Sequence, residues 1–390
     1  MINKNLTGGT LIEGTLIEGT LIEGTIQPGF EPVRDAFASL WKEIEVGAGL
    51  SVFLGDELVV DLWGGHTNRS RTTPWQRDTL VNTYSISKGM VSLALACLVD
   101  EGKLDYDKPV ADYWPQFGAE RKFNITVGQA LSHQAGVYTF NPTMKTEDLY
   151  DWQKAAFNVA SQAPAWEPGT AFGYHSITWG YIAGELVRQT TGKTTGDYLR
   201  RRITDQLKAD FHIGLTGHEQ ERCAEVIGPN HANPAIKKTP AREKNTLPKN
   251  DPALPPYRVV SSADWRKAEI PATNGHGSSL GIARCYQAAI AGKLFSREAL
   301  QLAVQEETKG ETDLCLDQLL RRSRGFILNC EPCYYGPSKK AFGHAGTGGS
   351  TAFADPDNNV AFAYVTNQLH RSGTLRYRKL IDTFYHCLTH

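Results

Sequence analysis

Apolar residues recur at helical spacing from Phe30 to Glu45, with Val33, Phe37, Leu40 and Trp41 near one stripe, which predicts an amphipathic helix. Two β-rich runs, Ser51–Leu54 and Glu57–Trp63, flank Gly55-Asp56 and predict a hairpin. The run Met90–Val99 is apolar almost throughout and reads as a buried helix. Helical patterns then dominate, over Thr126–His133, Thr146–Ser161, Ser176–Thr190 and Thr195–Leu207, and Thr146 followed by Glu147 and Asp148 is a helix start signal. Residues 228–258 are rich in Pro, Asn and Lys with little periodicity, so they read as a long excursion. A helix from 278 to about 291 follows. Strand patterns return at Gly325–Asn329, Ala341–Ala345, Ser350–Ala354 and Val360–Thr366, and a helix over Ser372–Cys387 closes the chain. This order predicts an α/β (α+β) fold, an antiparallel sheet flanked by N- and C-terminal helices and interrupted by a mainly helical insert. The expected division is a sheet domain at 27–105 and 265–390, with a mainly helical domain at 106–264.

The first 26 residues fit neither period. Thr10-Leu11-Ile12-Glu13-Gly14 recurs at 15–19 and 20–24, and a five-residue repeat matches neither strand alternation nor a helix face. One Glu and one Gly per unit interrupt a continuous strand, so 1–26 is expected to be a weakly structured arm, an added edge strand being the second reading.

Composition narrows the function. With 41 basic against 42 acidic residues the net charge is −1, which argues against a nucleic-acid or anionic-membrane partner. There is no apolar run long enough to span a bilayer, and no charged segment leading into an apolar one at the N-terminus, so neither a membrane span nor a secretory signal is expected. Seven scattered cysteines fit free thiols and a cytoplasmic location. Cys330-Glu331-Pro332-Cys333 lacks the second pair that zinc would need; it reads as a chance pair in a loop, with a redox role second. No metal or organic cofactor is expected.

The chemistry is concentrated at Ser85-Ile86-Ser87-Lys88, an S-x-x-K at the front of the apolar helix. Serine and lysine three residues apart share a helix face. The lysine can take the alcohol proton or support a base that does, and free N–H groups at a helix N-terminus favour negative charge. Ser39-Leu40-Trp41-Lys42 has the same spacing, but mid-helix Ser39 would lack such N–H groups and is read as structural. Two further elements complete a serine-enzyme pattern. The turn Trp166–Ser176 delivers Tyr174, whose phenol a nearby Lys88 ammonium would make more acidic. The run Phe342–Ser350 is a glycine-rich strand edge whose backbone can approach a ligand closely.

Ser85-Ile-Ser-Lys88, Tyr174-His-Ser176 and His344-Ala-Gly346, in this order and spacing, resemble the penicillin-recognising serine hydrolases. More narrowly they look like the class C β-lactamase-like esterases, the family VIII carboxylesterases and related acyltransferases. Val60–Gly65, Ile125–Gly136, Trp166–Gly169 and Phe342–Gly346 support the resemblance, which runs from about residue 28 to the C-terminus. It implies a β-lactamase/transpeptidase-like fold, Ser85 as nucleophile and Tyr174 with Lys88 as the base pair. It also implies an oxyanion hole from the backbone N–H groups of Ser85 and Thr347. Departures from the family pattern shape the expected substrate. Ser176 stands where β-lactamases and D,D-peptidases carry Asn, and His344-Ala345 replaces the Lys-Thr or Lys-Ser that clamps a substrate carboxylate. A neutral imidazole and a methyl group make a poor anion clamp. The expected activity is therefore hydrolysis of small, uncharged carboxylic esters through a Ser85 acyl-enzyme. Alternatives are acyl transfer to an alcohol or amine, hydrolysis of small amides or β-lactams, and a non-enzymatic acyl-binding role. Ser176, His344, Ala345, Gly346, Tyr138 and Trp166 are the expected substrate-binding residues. His344 either orients substrate or holds Tyr174, a purely structural role being the other reading. A small-molecule ester is the expected partner, and a homo-oligomer is left open.

One rival signature remains. Gly277-Ser278-Ser279-Leu280-Gly281 fits G-x-S-x-G, with His344, His370, Asp313 and Asp355 available as triad partners. Such an elbow needs a buried apolar strand before it, and Ile270–His276 is not one, so a serine that caps the following helix is expected instead. His133 and His276 have no ligand partner at helical spacing and are read as making local loop hydrogen bonds.

Overall fold

The computed structural model describes residues 10–17, 20–42, 45–229, 247–248, 257–308, 310–370 and 376–389. Among the described residues, thirteen strands form two antiparallel sheets. In chain order they are β1 (Thr10–Ile17), β2 (Thr20–Ile26), β3 (Gly47–Leu54), β4 (Glu57–Gly65), β5 (Val81–Asn82), β6 (Phe211–His212) and β7 (His276–Gly277). Then come β8 (Glu306–Thr308), β9 (Arg321–Ser323), β10 (Ile327–Leu328), β11 (Phe342–Ala345), β12 (Thr351–Asp355) and β13 (Val360–Thr366). The large sheet has the order β1-β2-β4-β3-β13-β12-β11-β10-β9-β8, and the small one β5-β7-β6. The β3–β4 hairpin turns at Gly55-Asp56 as the sequence predicts, and β13 matches its expected bounds.

Side-chain size on alternate strand positions decides what covers each face of the large sheet. In β13, Phe362 and Tyr364 point into one core while Ala361 and Ala363 point into the other, as period two requires. The large side chains meet the terminal helices Glu31–Ala38 and Arg376–Thr389, where Phe30 stacks on Phe384 at 5.3 Å. Buried Glu45 ties that face together, accepting from Tyr364 Oη at 2.6 Å and pairing with Arg376. The small side chains, with Ala352 and Ala354 of β12, leave room for the helix Ser279–Ile290 to lie close to the opposite face. There Ser279 Oγ meets Ser51 Oγ at 2.9 Å, a packing contact, and Ser278 caps the helix by accepting the Gly281 N–H at 3.1 Å. The rival G-x-S-x-G is therefore structural.

The N-terminal repeats differ from expectation. Instead of a weakly structured arm, Thr10–Ile17 and Thr20–Ile26 are strands at the sheet edge; residues 1–9 and 18–19 of the arm lie outside the described residues. In β2 the five-residue repeat becomes an alternation, with Ile22, Gly24 and Ile26 inward. Gly24 has φ +131, and a Cβ there would overlap the Asp61 carbonyl oxygen, so the glycine that looked like a strand breaker is what lets β2 dock on β4.

The helix Ile86–Asp100 is buried from Ile86 to Leu98 and runs through the centre of the molecule. It passes Tyr286 and His344 at Gly89, where a Cβ would lie 3.5 Å from His344 Cβ and would overlap the Tyr286 hydroxyl. That hydroxyl is buried without a hydrogen-bond partner among the described residues. Gly89→Ala is therefore expected to cost about 1–3 kcal/mol by overpacking. Tyr286→Phe, which removes only the unpaired oxygen, is expected to be neutral or stabilising. The double variant should return to within about 1 kcal/mol of wild type, since alanine is also the better helix former. Thermal melts of the four proteins test this, and additive losses would refute it.

Several helix boundaries are corrected. The Phe30–Glu45 helix stops at Ala38 and continues as a 3₁₀ turn, Ser39–Lys42. Ser39 thus ends a helix rather than lying inside one, its hydroxyl donating to Ala36 O at 2.7 Å. Thr146–Ser161 divides into a 3₁₀ turn and the helix Trp152–Ser161, because the Asp151 carboxylate accepts the Lys154 N–H and starts a new helix. Most of the 228–258 excursion lies outside the described residues. Among the described residues no helix is long and apolar enough to cross a membrane.

Candidate active site

Ser85 is the N-cap of the Ile86–Asp100 helix, yet its side chain makes no capping bond. Its Oγ instead lies 2.6 Å from Tyr174 Oη, with either oxygen able to donate. A strained turn presents it: Tyr84, just before, has φ +49, a region that disfavours bulky side chains. Ser87 holds that turn closed. Its hydroxyl donates to Tyr84 O and accepts the Gly275 N–H at 2.9 Å, fastening the turn to the segment leading into β7. Lys88, one turn along, is fully buried, and its Nζ donates to Ser176 O at 2.8 Å and to Ala272 O at 3.0 Å. The same Nζ lies 4.8 Å from the Tyr174 ring centroid.

Tyr174 comes from a turn fixed by its neighbours rather than by regular structure. Its N–H donates to Asp313 Oδ1 at 3.0 Å, and the Cys315 and Leu316 N–H groups donate to the same oxygen. Asp313 Oδ2 accepts from Arg322 Nη2 at 2.9 Å in a fully buried ion pair, and the Arg322 guanidinium lies 5.1 Å from the Tyr174 ring centroid. Behind the phenol, His133 Nδ1 accepts the His175 N–H at 3.0 Å, so the His133 proton is on Nε2; this is the local loop bonding expected of it. His276 lies in β7, and burial pushes its pKa down to about 3. The Tyr174 phenol departs from expectation. Its pKa is pushed up to about 12, because burial outweighs the lowering effects of the Ser85 hydrogen bond and the Arg322 charge. A cation nearby does not make this phenol more acidic than a free one.

The third wall is the end of β11. A Cβ at Gly346 would overlap the Thr83 carbonyl oxygen, so only glycine lets this strand end lie against the segment leading into Ser85. Thr347 follows, exposed in the turn. His344 is buried, its ring centroid 6.3 Å from that of Tyr174. Its Nδ1 is paired with Ala345 O at 2.8 Å, which puts the proton on Nδ1, and Nε2 has no partner among the described residues. Burial and the Lys88 charge hold its pKa well below that of an ordinary histidine, so the imidazole is neutral.

The structure thus brings Ser85, Lys88, Tyr174 and His344 together, with Ser176 contributing its carbonyl to Lys88. Tyr138 and Trp166 form an aromatic pair beside His175. They stack at 5.6 Å, Trp166 meets the His175 ring edge-on at 6.0 Å, and Tyr138 Oη donates to Pro248 O at 2.6 Å. The positioning roles of Ser87, Asp313 and Arg322 escaped the sequence reading. Arg322 stands in the charged run Arg321-Arg322-Ser323-Arg324, which carries no apolar periodicity to mark it as buried. Among the described residues no His, Cys, Asp and Glu side chains are grouped as a metal site.

Comparisons with known proteins establish the family and the fold. A family model described as Beta-lactamase matches residues 33–383. "Esterase/beta-lactamase LipL" of Mycobacterium tuberculosis is 32% identical over 359 residues, covering 88% of this chain and 82% of LipL. Among solved structures, a family VIII carboxylesterase is 39% identical with a TM-score of 0.85, covering 94% of this chain and 99% of that one. A penicillin-binding protein homologue from Caulobacter crescentus is 36% identical with a TM-score of 0.83, at the same coverage. The chain belongs to the Beta-lactamase family and has its β-lactamase/transpeptidase-like fold.

Proposed function

We propose that this protein is a serine carboxylesterase that hydrolyses small, uncharged esters through an acyl-enzyme on Ser85. The observation that carries this reading is the 2.6 Å contact between Ser85 Oγ and Tyr174 Oη, at a helix N-terminus with Lys88 beneath it. The Tyr174 phenolate takes the Ser85 proton as Oγ attacks the ester carbonyl. The oxyanion is met by the backbone N–H groups of Ser85 and Thr347. The alcohol leaves with the proton from Tyr174, and water attacks the acyl-enzyme by the same route. Lys88, braced by two carbonyl oxygens, keeps positive charge under the phenolate as it forms.

A fluorophosphonate probe with peptide mapping tests the assignment: one label is expected, on the peptide containing Ser85. A label on Ser279 would overturn it. Substrate charge tests the specificity. His344 is neutral where relatives that bind carboxylates carry lysine, so an ester with an added carboxylate is expected to lose about 10- to 100-fold in kcat/KM against its uncharged match. Equal rates would remove His344 from the specificity argument.

Rate against pH follows from Tyr174. The active form is the phenolate, and a pKa near 12 leaves it scarce at neutral pH, its fraction rising tenfold per pH unit. For a non-ionising ester, log kcat/KM is expected to climb with a slope near one from pH 7 upward until the protein unfolds. The nearby imidazoles add no break there, since His344 and His133 are held well below the ordinary histidine value and His175 is pushed down to about 4. A plateau beginning near pH 7 would show that the working base titrates far below the value that burial gives Tyr174.

A further inference from the structure

The proposed reaction makes no use of Cys330 and Cys333, but the fold does not leave them as a chance pair. Cys330-Glu331-Pro332-Cys333 is a tight turn in which the Cys333 N–H donates to Cys330 O at 2.9 Å and the Cys330 N–H to Cys333 O at 3.3 Å. The two residues face each other as an antiparallel bridge. Residues that exchange both backbone bonds in this way have Cα atoms about 5.5 Å apart, within the span of a disulfide. Both are free thiols, and their sulfurs hydrogen-bond to each other.

The two thiols have different surroundings. Cys330 is half-buried, whereas Cys333 is 9% exposed and belongs to the core under the terminal helices. Hydrogen bonding from Cys333 and from the Arg321 backbone holds Cys330 below the ordinary thiol value, while the same pairing and burial hold Cys333 above it. Arg322 adds positive charge near both. Elsewhere burial acts the other way, pushing Cys97 and Cys285 up to about 12 and Cys223 to about 11. An accessible sulfur with a partner at bonding range therefore occurs at this turn and not at those three sites.

We propose that Cys330 and Cys333 form a reversible dithiol–disulfide site, oxidised by small hydroperoxides, with Cys330 as the attacking and Cys333 as the resolving sulfur. The Cys330 thiolate attacks the peroxide; an S–O bond forms, the O–O bond breaks, and an alcohol or water leaves. Cys333 sulfur then attacks the Cys330 sulfenic acid; the S–S bond forms, the S–O bond breaks, and water leaves with the thiol proton. The dithiol is oxidised by two electrons and the hydroperoxide is reduced. This inference stands apart from the esterase reading.

The test exposes reduced, desalted full-length protein to one equivalent of hydrogen peroxide, blocks remaining thiols with N-ethylmaleimide, and reads intact mass and peptide maps. The expected result is loss of two hydrogen masses, mapped to a 330–333 cross-link, reversed by dithiothreitol and unchanged in Cys387→Ser, which removes the thiol that shares the core of Cys333. Cys333→Ser should halt at a sulfenic acid on Cys330 that dimedone traps. Cys330→Ser should slow oxidation of Cys333 by about tenfold or more. Should either variant fail to fold, the wild-type map alone decides. Maleimide on both sulfurs after peroxide treatment, a cross-link from either one to Cys387, or an intermolecular link would each overturn the proposal.

Discussion

Ser85→Ala is expected to lower kcat for an uncharged p-nitrophenyl ester by about 10⁴-fold or more, as happens when a nucleophile is removed from a unit that works together. Neither Ser87 nor Ser39 can replace it. Ser87 is fully buried, with its Oγ engaged by Tyr84 O and the Gly275 N–H. Ser39, in the other S-x-x-K, donates to Ala36 O and accepts from Lys379 Nζ, so Ser39→Ala should leave the rate unchanged. The loss should not come through folding. Ser85 makes no capping bond, so its removal gives up only the hydrogen bond to Tyr174 Oη and is expected to cost about 1 kcal/mol of stability, too little to unfold the protein. Tyr174→Phe keeps the ring packing and removes the base; a loss of about 10²- to 10⁴-fold is expected for a general base. Steady-state kinetics beside thermal melts separate the two effects. A well-folded Ser85→Ala enzyme keeping more than about 1% of wild-type kcat would place the nucleophile elsewhere.

The part of this machinery that the sequence made legible is the part carried by apolar periodicity and fixed spacing. The buried helix behind Ser85, the β3–β4 hairpin, the strand β13 and the turn delivering Tyr174 follow from such patterns. Strands satisfied by charge were invisible to the same reading. β8 is Glu306-Glu307-Thr308 and β9 is Arg321-Arg322-Ser323, neither of which alternates apolar with polar. They pair because Arg321 meets Glu306 across the strands at 2.8 Å and Arg322 turns inward to Asp313. The Tyr174 phenol shows a second limit. Sequence places a lysine near it but cannot weigh burial against that charge, and burial has the larger effect. The repeats show a third, since the inward place of Gly24 becomes visible only once β4 lies beside it.

Asp313→Asn is expected to destabilise the protein by about 3–5 kcal/mol, because it leaves the Arg322 guanidinium buried without a counter-charge. Among the described residues Asp313 is the acidic partner of Arg322, and both are essentially inaccessible to water. Arg322→Met is expected to cost less, on the order of 2 kcal/mol, since the carboxylate left behind still accepts three backbone N–H bonds, from Tyr174, Cys315 and Leu316. The two variants should also differ in catalysis. Arg322 is one of the influences that hold the Tyr174 pKa down, so Arg322→Met should move the rising limb of the pH–rate profile to higher pH without changing its slope. Asp313→Asn loosens the backbone that carries Tyr174 and removes a charge that holds its pKa up, so it should move the rising limb the other way, to lower pH. Combining them removes both charges together, and the double variant is expected to be less destabilised than the sum of the singles by about 2–3 kcal/mol. Calorimetric melts of the four proteins measure that coupling. If the singles simply add, the pair contributes nothing as a pair, and the position of Tyr174 must come from the backbone bonds alone.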